Sequence, residues 1–138
     1  MRIMVDTNIL VSAAFFPDGR AALALSLAMR EHTLIVCDYV LEELQSVFVR
    51  KFPYKTESLG EFLSKLTYEP CDTPGVNRNT PDMRDEDDRP ILQAAIEADA
   101  DAILTGDKDF HALKFDIVHP KIISPSDFLQ GTVFMPRV

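Results

Sequence analysis

The stretch Ile3-Met4-Val5-Asp6-Thr7-Asn8 constrains the chain more than any other. Three consecutive apolar residues predict a short buried strand over residues 2–5. That strand stops on a carboxylate, at the edge where open α/β sheets place their chemistry. A second reading needs no chemistry. Asp6, Thr7 and Asn8 are also residue types whose side chains accept from the free N–H groups of a helix start. Thr7 or Asn8 is placed to cap a short helix through Ile9, Leu10, Val11 and Ala14, which Phe15-Phe16-Pro17-Asp18-Gly19 breaks. Only the other acids of the chain separate the two readings.

Residues 20–31 put Leu23, Leu25, Leu27 and Met29 on alternate positions, yet the run is rich in Ala and Leu, lacks β-branched residues and is long for a strand. It predicts a helix. The β-branched run 33–37 predicts a second buried strand. Asp38 is placed to cap a helix whose Val40, Leu41, Leu44, Val47 and Phe48 follow the 3.6-residue period. Glu43 falls about 100° from the centre of that stripe and Glu42 about 160° away, so Glu43 borders the packed face while Glu42 meets water. Lys51-Phe52-Pro53 ends this helix, and residues 57–66 predict another with Leu59, Phe62, Leu63 and Leu66 inward.

Residues 69–89 shift to Pro, Asp, Asn and Arg and read as one long irregular segment, of the kind that is functional or mobile in a compact domain. Its acidic end, Asp85-Glu86-Asp87-Asp88, abuts a helix carrying Ile91, Leu92, Ala95 and Ile96, with Pro90 tolerated in the first turn. At least one of these acids is expected to cap it. A strand over 102–105 runs into Gly106-Asp107-Lys108-Asp109-Phe110, and a last short strand covers 121–123. The β, α, α, β, α order predicts one α/β domain over residues 1–138, with a central parallel sheet of four or five strands flanked by helices.

A chain of 138 residues can bury a real core, and no apolar run approaches the roughly 20 residues that span a membrane. The start of the chain shows no export signal. Cys37 and Cys71 lack Cys-x-x-Cys spacing and read as buried free thiols of a reducing cytosol, so a cytoplasmic location away from membranes is expected. The formal net charge of −8 argues against a clamp that holds nucleic acid by charge alone. It leaves room for an enzyme whose acids gather divalent cations where a phosphate must approach.

Asp6 and Asp107 follow strands, Glu43 leans inward from the helix after a strand, and Asp88 opens a helix. All strand ends of a parallel sheet share one edge, so Asp6, Glu43 and Asp107 are expected to be neighbours. Asp88 joins them if its helix runs back from that edge. Should Asp88 instead bond its own helix's N–H groups, Asp87 or Asp85 takes its place. Such a cluster is costly without a cation, and oxygen-only ligands select Mg²⁺ or Mn²⁺. A pair of such ions activates water and stabilises the leaving oxygen of a phosphodiester. Hydrolysis of nucleic acid follows as the expectation. His32, His111 and His119 lack metal-type spacing, although His111 follows Asp109-Phe110 closely enough to meet substrate. Arg20, Arg84, Arg89 and Lys108 are the cations that could meet phosphates, and Phe15, Phe16, Phe48, Phe52 and Phe62 read as core or dimer surface.

Val5-Asp6-Thr7-Asn8, Leu41-Glu42-Glu43-Leu44, Asp87-Asp88-Arg89-Pro90-Ile91-Leu92-Gln93-Ala94-Ala95 and Leu104-Thr105-Gly106-Asp107-Lys108-Asp109-Phe110, in this order and spacing, resemble PIN-domain nucleases. More narrowly they resemble VapC-like toxins, and Ile123-Ser124-Pro125-Ser126-Asp127-Phe128-Leu129 resembles the close of that group. The resemblance implies a Mg²⁺- or Mn²⁺-dependent endoribonuclease with Asp6, Glu43, Asp88 and Asp107 as catalytic metal ligands and Asp109 as an auxiliary acid. It implies that Thr7 and Asn8, or the nearby Ser or Thr side chains, help orient ligands and water at the substrate, with Lys108 beside them, and that an RNA substrate, a cognate antitoxin and a homodimer belong to the picture. Two rivals stand beside it. An aspartyl-phosphate phosphatase needs a second Asp where Asn8 stands, and a non-catalytic interaction protein would have to tolerate an unused cluster of repelling charges.

Overall fold

Ile3, Met4 and Val5 are wholly buried, and the strand they form is the middle of the sheet. The computed structural model describes residues 1–114 and 116–131; residues 115 and 132–138 of the expected domain lie outside them. Strands β1 (Arg2–Val5), β2 (Thr33–Cys37), β3 (Glu69–Cys71), β4 (Ala102–Leu104) and β5 (Lys121–Ile123) are all parallel, in the order β3-β2-β1-β4-β5. Ile3 is flanked by Leu34 and Ala102, and Met4 by Ile35 and Ile103. Each of these side chains is at most 2% exposed, as a sheet covered on both faces requires. Among the described residues seven helices supply the cover: α1 (Thr7–Phe15), α2 (Arg20–Glu31), α3 (Asp38–Lys51), α4 (Thr56–Ser64), α5 (Arg89–Glu97), α6 (Lys108–Leu113) and α7 (Pro125–Gln130).

The strand order sets where a site can form. From β1 the chain steps outward to β2 and then β3, and returns across β1 to β4 and β5. Right-handed crossovers therefore send α1 to α4 to one face and α5 and α6 to the other, and α1 indeed packs on α2, α3 and α4. Between β1 and β4 the connections part in opposite directions. The crevice at the carboxyl ends of those two strands is the place such a sheet offers for a ligand.

Several boundaries differ from the sequence reading for identifiable reasons. Helix α1 begins at Thr7 with Asp6 in the cap position, so neither Thr7 nor Asn8 caps it. Asp38 is the first residue of α3 rather than its cap; its carboxylate accepts from the Tyr39 N–H at 2.7 Å and from the N–H of Thr73 at 3.0 Å, and it also bonds the Thr73 hydroxyl. Helix α4 spans Thr56–Ser64, shorter at its end than the expected 57–66. Strand β4 closes at Leu104, although the Thr105 N–H still reaches the Ile123 carbonyl at 3.0 Å.

Strand β3 lies inside the segment whose composition predicts an irregular loop. Its three residues include Pro70, which lacks a donor and is tolerated because the strand lies on the sheet edge. Arg2 fastens this edge by donating to Glu69 at 2.7 Å and to the Ala98 carbonyl at 2.9 Å. Cys37 and Cys71 face one another across β2 and β3 as free thiols, and burial pushes Cys71 up to about 11. Phe15, Phe48 and Phe52 stack into one aromatic cluster, with Phe15 and Phe48 centroids 5.3 Å apart, whereas Phe16 is 66% exposed. Among the described residues no single helix is long and apolar enough to cross a membrane.

Candidate active site

Asp6 follows β1 directly, and its N–H donates to the Leu104 carbonyl at 3.2 Å, adding one rung to the β1–β4 pair. That rung brings it beside Thr105. Although Asp6 holds the cap position of α1, its carboxylate makes no capping bond. It is 2% exposed and instead accepts from the Thr105 hydroxyl at 2.8 Å. Asp6 thus stands at a helix start, as the second reading has it, with its carboxylate turned to Thr105. Burial raises its pKa most, the Thr105 bond opposes this, and the charges of Asp107 and Glu43 add to the rise.

Thr105 is wholly buried and ties the two strand-end acids together, since its oxygen also accepts the Asp107 N–H at 3.0 Å. The sequence puts Thr105 at the end of a strand, among the nearby Ser or Thr side chains that the resemblance offers for orienting ligands, without singling it out. The available signal was a β-branched hydroxyl residue two positions before an acid. Asp107 spends one carboxylate oxygen on the Asp109 N–H at 2.8 Å, which starts α6. Six residues are too few to have announced that helix by their period.

Asp88 occupies the cap position of α5 without capping it. Its Oδ2 is buried with no hydrogen-bond partner among the described residues. An orphaned buried carboxylate oxygen is costly, and it registers as a pKa pushed up to about 7, through burial first and then the charges of Asp107, Asp6, Asp85 and Glu43. Glu43 borders the packed face and Glu42 is exposed, as the helical period predicted. Four acids distant in sequence thus act on one another.

Asp85, Asp88 and Asp109 each offer a carboxylate oxygen, and these lie within 4.8 Å of one another. Of the four expected ligands only Asp88 belongs to this group; Asp6, Glu43 and Asp107 lie outside it and reach Asp88 through their charges. Asp85 also accepts the Asp87 N–H at 3.0 Å, bending the turn that presents Asp88. Asp87 has an exposed side chain, while its carbonyl accepts from the Tyr39 hydroxyl at 2.9 Å. Tyr39, which the sequence reading passed over, so straps α3 to this turn. Its own pKa is raised by burial and then by Glu43, Asp87, Asp88 and Asp85. The all-oxygen donor set and the unpartnered Asp88 oxygen fit a hard divalent cation.

The remaining candidates separate clearly. Thr7 is 2% exposed and its hydroxyl has no partner among the described residues, whereas Asn8 and Lys108 present themselves to solvent. Arg89 is committed internally, donating to the carbonyls of Thr80 at 2.9 Å and Pro81 at 3.2 Å and pairing with Glu86 at 3.0 Å. It is withdrawn from the set of phosphate-binding cations. His111 pairs through Nε2 with the Thr105 carbonyl at 2.7 Å, so it supports the strand end rather than a substrate. His32 lies beside the N-terminal amine and His119 beside Asp99, both away from the acids.

Residues 2–109 match the PIN domain family. An uncharacterised protein of Methanocaldococcus jannaschii is 27% identical over 143 residues, covering 94% of this chain and 90% of that protein. The fold is shared with a chain in the crystal structure of VapBC2 from Rickettsia felis bound to a DNA fragment from their promoter, at a TM-score of 0.64 and 22% identity over 90% of this chain and 98% of that one. The matched family span runs from before Asp6 to Asp109 and so takes in every acid of the cluster; the chain belongs to the PIN domain family, a family of nucleases.

Proposed function

We propose that this chain is a Mg²⁺- or Mn²⁺-dependent endoribonuclease, acting in the cytoplasm as the toxin of a toxin–antitoxin pair. The observation that carries the reading is the Asp88 Oδ2, buried and unpartnered among Asp6, Glu43, Asp107 and Asp85. Carboxylates are gathered this way at little benefit unless a cation neutralises them. Asp6, Glu43, Asp88 and Asp107 would hold the ion, with Asp85 and Asp109 completing the donors around Asp88. A bound divalent ion supplies an activated water and charge stabilisation for the leaving oxygen of a phosphodiester.

The residues of the chain do the positioning. Thr105 holds the Asp6 carboxylate toward Asp107, and Tyr39 and Asp85 fix the turn that carries Asp88. Asn8 and Lys108, both exposed, would orient the substrate. Membership of the PIN domain family supports nuclease chemistry. The fold likeness to a chain of a VapBC2 complex supports a cognate antitoxin as partner. We include a homodimer in the proposal, which sedimentation at high concentration tests: a chain that stays monomeric refutes it.

Incubation with single-stranded RNAs of mixed sequence and Mn²⁺, with and without chelator, tests the activity. Internal cuts that chelator abolishes are expected. Asp6→Asn should stop cleavage while the circular dichroism spectrum is unchanged. An Asp6→Asn protein that cuts as fast as the parent refutes the role assigned to Asp6.

A further inference from the structure

Asp107 stands on the rim of two clefts that lie side by side. One, of about 540 Å³, sets Arg84 and Lys108 among Asp85, Asp107 and Asp109. The other, of about 440 Å³, is lined by Asn8, Ser12, Arg20, Gly106, Asp107 and Ser126 as its polar and backbone groups. Their charges differ. Three carboxylates accompany two cations in the first cleft, whereas in the second Asp107 is the single acid and the rest of the polar lining consists of hydroxyls, an amide and one guanidinium.

Of the four cations that the sequence offered to phosphates, Arg89 is taken up internally and Arg84 and Lys108 sit among acids. Arg20 is the exception. It is exposed, forms no ion pair among the described residues, and is held at one point, where its Nη1 donates to the Ser126 hydroxyl at 2.7 Å. Its seat is built by a tight turn: the Gly19 N–H donates to the Phe16 carbonyl at 2.9 Å, and a Cβ on Gly19 would press to 3.2 Å from that same oxygen. Helix α2 therefore starts at a fixed place, with Arg20 against α7. One of the five guanidinium N–H groups is used, which leaves a planar fork for an incoming oxyanion. Ser126 accepts from Arg20 and keeps its own proton to donate.

We propose that this cleft binds the backbone phosphate next to the scissile one in a single-stranded RNA. Arg20 grips that phosphate, and Ser12, Asn8 and Ser126 donate to it. The inference rests on the nuclease reading above and adds to it a fixed direction for the strand, leaving the acid rim on the α1, α2 and α7 side of Asp107. It also explains how a chain with a formal net charge of −8 holds a polyanion: the phosphate beyond the cation site meets a cleft in which a single acid is outnumbered by donors.

Fluorescence anisotropy with a labelled single-stranded RNA 12-mer and the full chain, Ca²⁺ replacing Mn²⁺, tests the subsite. Arg20→Ala is expected to weaken binding about tenfold and to lower the dependence of log Kd on log salt by about 0.7, the amount for one single-strand phosphate. Its Tm should equal the parent's, because the side chain is exposed. Arg20→Lys should keep the salt dependence yet bind several-fold more weakly, for want of the fork. A neutral methylphosphonate beside the cut should cost the parent the same tenfold and cost Arg20→Ala nothing further. Equal Kd and salt dependence for parent and Arg20→Ala overturn the subsite, as does a methylphosphonate penalty of equal size in both. A parent that cuts RNA alongside an unaffected Arg20→Ala overturns the subsite alone. A parent that grips RNA through Arg20 yet never cuts it with Mn²⁺ overturns the catalytic reading alone. No RNA binding by the parent overturns both.

Discussion

Replacing Asp88 by Asn separates a metal-binding carboxylate from a structural one. Its folded pKa is pushed from the ordinary 3.8 up to about 7. A raised acid pKa means that the folded state holds the proton more tightly than the unfolded chain, so stability is fully present below about pH 4 and is lost as pH rises through about 7. A rise from 3.8 to about 7 corresponds to about 4 kcal/mol, at about 1.4 kcal/mol for each pH unit. Solvent screens a half-buried group, which reduces this ceiling to about 2 kcal/mol. In chelator at pH 8, Asp88→Asn should therefore melt about 7 °C above the parent, and at pH 4 the two should coincide. Mn²⁺ at about a hundred times its Kd should stabilise the parent by about 2.7 kcal/mol and leave the variant unmoved. Thermal melts at pH 4, 6 and 8, with and without Mn²⁺, read all of this. A variant that melts below the parent at pH 8 without metal, or a gap that is the same at every pH, refutes the reasoning.

Two further substitutions probe the same rim. Thr105→Val keeps the shape but strands the Asp6 Oδ2 and the Asp107 N–H, which should cost about 1–3 kcal/mol in urea unfolding. Losing the bond that lowers the Asp6 pKa should also weaken Mn²⁺ binding at pH 7 by about tenfold, a deficit that narrows at higher pH; unchanged calorimetric affinity would sink this role. Glu43→Gln should reduce Mn²⁺ affinity and RNA cleavage together, while Glu42→Gln, one residue away and exposed, should change neither. Equal effects of the two would show that the helix face does not matter.

How much of this was legible beforehand depends on what each residue's type commits it to. Ile3-Met4-Val5 and Thr33–Cys37 can only be buried strands, and strands apolar on both faces need helices on both sides, so the parallel sheet followed from them. Glu43 was legible because one helical period separates it from Glu42. Pro70, in contrast, argues against a strand everywhere except at an edge, and edge position is a tertiary fact, so β3 is not legible in the sequence. Asp6 is ambiguous for a similar reason. Asp serves equally as cap and as ligand, and only the Thr105 hydroxyl, 99 positions away, turns it from the helix into the crevice.

Charge is the property that sequence reports least well at this site. Arg20, Arg84, Arg89 and Lys108 are alike as letters, yet the fold gives them different work. Arg89 holds the loop that leads into α5, Arg84 and Lys108 stand among three acids, and Arg20 is seated on Ser126 in a cleft that Asp107 alone of the acids lines. The same holds for the acids. A formal net charge of −8 is a sum over the surface, whereas the potential felt by a phosphate is set within about 10 Å. Within that radius the parallel sheet has gathered its carboxylates around one crevice. On the proposed reading a divalent cation there would reverse the local sign, and Arg20 would continue the reversed field one phosphate further along the strand. On that reading the acidity that argues against passive binding of nucleic acid would become, once concentrated at the β1–β4 switch point, the condition for binding it through metal.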